Sequence, residues 1–172
     1  MPFDRAERER LFTRFASGAP AVRTALTRLP AQAVDWRPAP GKWSAREIVW
    51  HCADAEMCTA ARIRYLVCDK APLIPWYDEA AWARKLDYQA LPLEPALELM
   101  TMVRANTTLL IRTLPPKAWK AEGWHTLHGR FTAEDWLRYY AGHLHRHARQ
   151  IGRNRAAWEA STRRRTGCSP AS

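Results

Sequence analysis

Four long segments of the chain carry apolar side chains at helical spacing, and proline-rich or glycine-rich stretches separate them. The fourth segment begins near Thr132. Its side chains at successive steps of three or four residues are Trp136, Tyr140, His143, His147 and Ile151. Such steps place side chains on one face of an α-helix. No segment shows the apolar–polar alternation that is typical of a strand. The sequence therefore predicts an all-α protein folded as a four-helix bundle.

The first two helices have clear boundary signals. The first is predicted over about 4–29, with a break at "SGAP" because proline lacks the amide donor that a helix interior requires. "SARE" starts the second helix. The Ser44 side chain can accept a hydrogen bond from the first-turn amides, and Glu47 completes a capping box. The second helix is predicted over about 45–68.

The connection over 69–93 is long and rich in proline, with one short helix predicted over about 78–86. A connection of this length between helices more often carries functional residues than serves only as a linker. The third helix is predicted to open at Pro95, since proline is tolerated in a first turn, and to stop at the following "PP". "TAED" caps the fourth helix, with Thr132 as the cap and Asp135 as the reciprocal acid.

Length and charge indicate one domain with a basic end. The 172 residues are 47% hydrophobic and 26% charged, which fits a soluble globular domain, and we expect it to span 1–155. The formal net charge is +10, and much of the excess lies among the last arginines. Residues 156–172 are therefore predicted to be a basic, flexible tail. A non-enzymatic module that binds nucleic acid through this tail is an alternative function, although no recognisable binding motif accompanies the charge.

The chain lacks the sequence features of membrane and secreted proteins. No apolar run reaches the roughly 18 residues that a membrane span requires. The opening "MPFDRAERERLF" is charged at once and has no apolar signal core. The sequence therefore predicts a cytoplasmic protein with no membrane partner.

Two histidines of the fourth helix, His143 and His147, stand four residues apart and can direct both imidazoles at one ion. His145 lies between them and must point elsewhere. Because the pair lies in the apolar stripe, its nitrogen atoms need either hydrogen bonds within the core or a metal ion. His51 borders the buried side of the second helix and could supply a third nitrogen. Three imidazoles leave coordination positions open, as in catalytic sites, and suit Zn²⁺, Ni²⁺, Fe²⁺ or Mn²⁺.

Three stretches carry a known pattern in its usual order: "GKWSAREIVWHCADAE" (41–56), "PWYDEAAWARKLDY" (75–88) and "HGRFTAEDWLRYYAGHLHRHARQI" (128–151). They resemble the DinB superfamily, and within it the YfiT-like metal-dependent hydrolases, which are related to bacillithiol S-transferases. The resemblance implies an up-down-down-up four-helix bundle, often a homodimer and mostly bacterial. It also implies a divalent metal ion on three histidines that match His51, His143 and His147.

The resemblance implies thiol chemistry at this metal. A low-molecular-weight thiol, such as bacillithiol or mycothiol, would be joined to an electrophilic small-molecule substrate. Coordination lowers the pKa of a thiol, and the thiolate is the nucleophile. By position and resemblance, Tyr77, Asp78 and Trp82 are candidates for one wall of the pocket, although Asp78 and Glu79 equally suit a helix start.

Two points stay open in the sequence. The alternative reaction is hydrolysis, in which the metal activates a bound water, and the sequence names no general base for it. His125 and His128 flank a turn with Gly129, and they are either exposed loop histidines or a further lining of the pocket.

Overall fold

Helices dominate the computed structural model, which describes residues 3–165. Its α-helices and strands in chain order are α1 (Arg5–Ala16), α2 (Gly18–Thr27), α3 (Ala45–Cys68), β1 (Leu73–Ile74), α4 (Glu79–Lys85), α5 (Leu93–Thr113), β2 (Glu122–His125), β3 (Gly129–Thr132), α6 (Ala133–Ala141) and α7 (His143–Arg165). The bundle has four arms: α1 with α2, α3 alone, α5 alone, and α6 with α7. Within residues 3–165, no helix combines the length and apolar character that a membrane crossing needs.

Both predicted capping boxes are confirmed. At the start of α3, the Ser44 hydroxyl accepts a hydrogen bond from the Glu47 amide, and the Glu47 carboxylate accepts one from the Ser44 amide. Thr132 and Asp135 make the same pair of bonds at the start of α6. These bonds satisfy amides that have no partner inside a helix, which is why each pattern marks a helix start. The third arm begins earlier than predicted, because α5 includes Pro95 in its first turn rather than opening there.

Two buried apolar clusters mark the ends of the bundle and reveal the direction of each arm. One cluster joins α2, the first half of α3, the start of α5, and α7. The other joins α1, the end of α3, the end of α5, and α6. The first and fourth arms therefore run in one direction and the two middle arms run in the other. This is the up-down-down-up order, and its parallel middle arms require the long connection between α3 and α5.

Three short strands accompany the helices, although no segment of the sequence shows strand-like alternation. β1 pairs in parallel with β2, and β2 pairs antiparallel with β3 through a turn that ends at Gly129, whose φ of +77° suits glycine. Strands this short cannot show an alternating pattern, and the pairing of Leu73 with Trp124 joins distant parts of the chain. The small sheet ties the long connection to the hairpin of β2 and β3.

The fourth arm is broken at Gly142, which the helical pattern did not predict. α6 ends at Ala141, Gly142 is its C-cap, and α7 begins directly after this glycine. His145 lies beside the break, where its Nε2 atom is 3.1 Å from Ser17 Oγ and 2.9 Å from the Arg14 carbonyl oxygen. The ring therefore points away from His143 and His147, as predicted, and it is half-buried at the break of the first arm.

The predicted basic tail overlaps the last helix. Residues 156–165 continue α7, so this part of the predicted tail is helical. Trp158 packs against the first apolar cluster, which gives the helix a reason to extend beyond residue 155. The remaining residues of the predicted tail, 166–172, lie outside the described residues.

Candidate metal centre

Three histidines from two arms of the bundle converge on one point. His51 lies in α3, and His143 and His147 occupy the first two turns of α7. One nitrogen atom from each ring lies within 4.8 Å of the other two, and the ring centres are between 4.6 and 5.4 Å apart. The four-residue spacing aligns two of the rings, and the packing of α3 against α7 adds the third.

All three rings are neutral at neutral pH. Burial lowers the pKa of His51 to about 3, and the neighbouring His147 acts in the same direction. Burial lowers the pKa of His147 to about 4 and holds the pKa of His143 well below its usual range. A neutral imidazole carries the free lone pair that a metal ion requires, so the cluster is in its metal-binding form.

The hydrogen bonding of the cluster leaves room for a ligand. His51 Nε2 and His143 Nδ1 are buried without a hydrogen-bond partner, so hydrogen bonds alone do not satisfy these core histidines. Gln150 Oε1 lies 3.0 Å from His147 Nδ1, which leaves the Nε2 atom of His147 facing that of His143 at 3.3 Å. A hydrogen-bond partner on the ring nitrogen that does not face the metal sets the tautomer of a metal-binding histidine. These residues fit a divalent cation held by neutral nitrogen atoms.

A carboxylate that was not predicted as a site residue lies beside the histidines. Glu79 Oε2 is 3.8 Å from His51 Nε2. Glu79 is the first residue of α4, and Asp78 caps this helix by accepting a hydrogen bond from the Ala81 amide at 2.9 Å. Desolvation raises the pKa of Glu79, and the positive charge of Arg62 only partly opposes it. The histidine cluster therefore lies next to a carboxylate, Glu79, that binds a proton more readily than an ordinary glutamate does.

A cavity of about 440 Å³ opens beside the cluster, which is within the size range of small-molecule sites. His143 forms part of its wall. Four of the five residues predicted for a pocket also line it: Tyr77, Asp78, His125 and His128. Trp82 is the exception, because its ring packs on Tyr77 with 4.3 Å between ring centres and supports the wall without lining it.

His125 is part of this wall because it is buried. It ends β2 with only 4% of its surface exposed, so its interpretation as an exposed loop histidine is wrong. Its Nδ1 atom accepts hydrogen bonds from the amides of Leu127 at 3.1 Å and His128 at 3.3 Å. Burial lowers the pKa of His125. His128 is exposed and stacks on the His125 ring, with 4.7 Å between centres.

Comparison with protein families settles the wider relationship. The sequence model of the DinB superfamily matches residues 14–151, a range that contains all three clustered histidines. The chain belongs to the DinB superfamily. The relationship agrees with the up-down-down-up bundle and with the three stretches that first suggested it.

Two curated relatives of this DinB-superfamily chain are bacterial. "Putative metal-dependent hydrolase OB0782" of Oceanobacillus iheyensis is 30% identical over 111 residues, 64% of this chain. "Putative metal-dependent hydrolase YfiT" of Bacillus subtilis is 30% identical over 112 residues, also 64% of this chain. The chain spans 64% and 63% of the lengths of these two relatives, less than two thirds of each.

A solved structure has the same fold. It is YfiT of Bacillus subtilis, described as having "an unusual four-helix bundle topology". The two structures agree with a TM-score of 0.82 over 98% of this chain and 92% of the other, at 24% sequence identity. The likeness concerns the fold, and it places this DinB-superfamily chain among four-helix bundles. The two curated relatives are named as metal-dependent, and the three clustered histidines of this chain could hold a divalent metal ion.

Two charged residues of the cavity were not predicted as site residues, and both had a signal in the sequence. Glu79 follows Asp78 in the long connection that was expected to be functional. Arg62 follows His51 by eleven residues, which is three turns of α3 and therefore the same helical face. Neither signal separates a cavity residue from an ordinary surface charge until the fold is known.

Proposed function

We propose that the protein is a divalent-metal-dependent enzyme that joins a low-molecular-weight thiol to an electrophilic small molecule. The observation that carries the metal part is the convergence of three neutral imidazoles, among which the buried His51 Nε2 atom has no hydrogen-bond partner. Three nitrogen ligands leave coordination positions for a reactant, which is typical of catalytic sites. The thiol part rests on the resemblance to bacillithiol S-transferases and on a cavity with room for a substrate.

The residues of the site are suited to prepare a thiol nucleophile. A bound divalent cation would supply the charge that lowers the pKa of a coordinated thiol. His51, His143 and His147 offer the neutral nitrogen atoms, and Gln150 holds the ring of His147 in one orientation. Glu79 lies beside His51 in the cavity wall, where its carboxylate can take the proton that the thiol releases. The thiol sulfur then bonds to the electrophilic carbon, and the leaving group departs with the bonding electrons.

Hydrolysis is the second candidate, and Glu79 supports it as well. Water activated by a divalent cation needs a general base, and the raised pKa of Glu79 improves that carboxylate as a proton acceptor. The curated relatives also carry a hydrolase name. The same residues would serve both reactions, so the identity of the nucleophile separates the candidates.

An activity assay with and without a thiol distinguishes thiol transfer from hydrolysis. Metal-free protein is reloaded with Zn²⁺, Ni²⁺, Fe²⁺ or Mn²⁺. It is then mixed either with a thiol and a chloro-dinitrobenzene, or with esters and amides in the absence of a thiol. We expect conjugation that requires both the thiol and the metal. Metal-dependent hydrolysis without a thiol requirement would overturn thiol transfer in favour of the second candidate.

Metal content tests the site without any assumption about the substrate. The native chain should hold about one divalent ion, and a His143→Ala, His147→Ala double variant should hold none. His145→Ala is the matched control, because this histidine lies on the same helix but binds Ser17 and the Arg14 carbonyl instead. Equal metal content in the native chain and the double variant would refute the proposed metal site.

A further inference from the structure

A buried arginine, Arg62, lies in the cavity wall further along α3 than the histidine cluster. Only 7% of its surface is exposed. Its Nη1 donates a hydrogen bond to the Tyr140 hydroxyl, and its Nη2 donates one to the Pro75 carbonyl oxygen at 2.6 Å. Both acceptors are neutral, and a guanidinium has five N–H donors. Arg62 therefore presents a positive charge that these contacts do not neutralise.

A second buried arginine shows the usual way in which such a charge is stabilised. Arg104 is 1% exposed, and its Nη2 donates to the carboxylate of Glu56, which is equally buried. Across residues 3–165, by contrast, no carboxylate lies within ion-pair distance of Arg62. Glu79 interacts with Arg62 only from a longer distance and lies beside His51. A buried cation that lacks a carboxylate in direct contact can be stabilised further by an anionic group of a ligand.

The position of Arg62 relates it to the metal centre. It lies three turns after His51 on the same face of α3, about 16 Å along the helix axis. The guanidinium donates to the Tyr140 hydroxyl, and the Tyr140 ring lies 6.1 Å from the His143 ring between centres, so one aromatic residue joins Arg62 to the histidine cluster. Ala55, one turn after His51, also lines the cavity, and its small side chain leaves the space between the two ends open. A single small molecule can therefore reach both the metal centre and Arg62.

The remaining wall of the cavity is largely aromatic: Trp76, Tyr77, Phe131, Tyr139 and Tyr140. Such a wall favours a ligand with an apolar or aromatic body. We propose that Arg62 binds the carboxylate of a substrate, which is thus a small acid with an apolar or aromatic body and a reactive centre that faces the three histidines. The role of that reactive centre rests on the proposed function, whereas the carboxylate site stands on the contacts of Arg62.

Binding of a matched acid and amide tests this site without turnover. The probes are 3-phenylpropanoate and 3-phenylpropanamide, which differ only in the anionic group. Binding is measured by calorimetry on chelator-treated protein, so that the carboxylate cannot bind a cation instead. A charged hydrogen-bonded contact predicts about 10- to 100-fold tighter binding of the acid. Equal affinities, or no measurable binding of the acid, would overturn the proposal.

Two variants assign the preference to Arg62. Arg62→Met should bind the acid and the amide equally. Arg64→Met is the matched control: it removes the same charge from the same helix, but Arg64 contacts the Ala60 carbonyl and Asn106 outside the cavity. A preference that survives Arg62→Met, or that Arg64→Met abolishes equally, would overturn the proposal. If Arg62→Met does not fold, Arg62→Lys is the second variant. We expect it to bind the acid more weakly, because an ammonium lacks the two parallel N–H donors of a guanidinium. Unchanged affinity for the acid would overturn the proposal.

A second pair of probes identifies which reactant carries the acid. 3-Mercaptopropanoate and 3-mercaptopropanamide also differ as a carboxylate and an amide, but here the group is attached to a thiol rather than to an apolar body. An acid preference that depends on Arg62 in the first pair alone assigns the carboxylate to the electrophilic reactant, and a like preference in the thiol pair assigns one to the thiol as well. Because these measurements involve no reaction, a failure of conjugation and hydrolysis would remove the proposed function and leave the carboxylate result unaffected.

Discussion

Lowering the pH from about 7 to about 5 should destabilise the metal-free protein through its buried histidines. Burial lowers the pKa of His51 to about 3 and that of His147 to about 4. In the unfolded chain a histidine titrates near pH 6.5. Below that pH the histidines of the unfolded chain are protonated, whereas the buried rings of the folded chain stay neutral. The free energy of unfolding therefore falls as the pH falls.

The size of the effect follows from the two pKa values. Protonating one unfolded histidine between about pH 7 and about pH 5, while its folded counterpart stays neutral, lowers the free energy of unfolding by about 2 kcal/mol. His51 and His147 together give about 4 kcal/mol, and His143 acts in the same direction. The total stability of a domain is about 5–15 kcal/mol, so the metal-free protein should approach unfolding near pH 5.

Two carboxylates with a raised pKa act in the opposite direction, so the contribution of the carboxylates must be separated from that of the histidines. Burial raises the pKa values of Glu56 and Glu79, so these groups bind protons more readily in the folded state and favour it at acidic pH. A comparison of the native chain with His147→Gln cancels this contribution, because both chains carry the same carboxylates. Between the two pH values, the native chain should lose about 2 kcal/mol more stability than the variant does.

Urea unfolding of chelator-treated protein at the two pH values measures this difference. His145→Gln is the control and should keep the native pH dependence, because the three clustered rings remain. Added divalent metal should stabilise the native chain at neutral pH, by about 2.7 kcal/mol when the free ion is at about 100 times its Kd. Equal losses of stability in the native chain and His147→Gln would refute the reasoning from burial.

Three further substitutions test the fold around the site, each by urea unfolding at neutral pH. Glu56→Gln should cost about 3–5 kcal/mol, because it leaves Arg104 buried without its counter-charge; a loss below about 1 kcal/mol would contradict this. Ser44→Ala should cost about 1 kcal/mol by removing the N-cap of α3, and no change would show that the cap is dispensable. Gly123→Ala should cost about 1–3 kcal/mol, since the added Cβ would lie 2.5 Å from the Pro72 carbonyl oxygen; native stability would mean that β1 shifts freely.

Local signals in the sequence predicted the helices well because their causes are local. The capping boxes at Ser44 and Thr132 join residues three positions apart, and the structure has both. The break expected at "SGAP" lies at Ser17, between α1 and α2. The predicted short helix in the long connection is α4, capped by Asp78. The break at Gly142 was missed, because the apolar pattern continues in phase across it.

Contacts between distant segments left no comparable signal. β1 pairs with β2 through Leu73 and Trp124, and neither strand is long enough to reveal itself. This pairing, and the hairpin that follows it, bury His125, which the sequence left open as a loop histidine. Glu79 and Arg62 become cavity residues only because α3, α4 and the hairpin meet around one space.

The sequence by itself determined the helical class, the two capped helix starts and the pair His143 and His147, because each depends on spacing within one helix. His51 was predicted as their partner from its place on α3 and from the family resemblance, but the tertiary structure alone decided that its Nε2 atom is buried without a partner, and that Glu79 and Arg62 lie in the same cavity. The reason is physical: helical periodicity orients a side chain on its own helix. Only the packing of parallel and antiparallel arms decides which faces meet, and only burial among them shifts the pKa values on which the proposed chemistry depends.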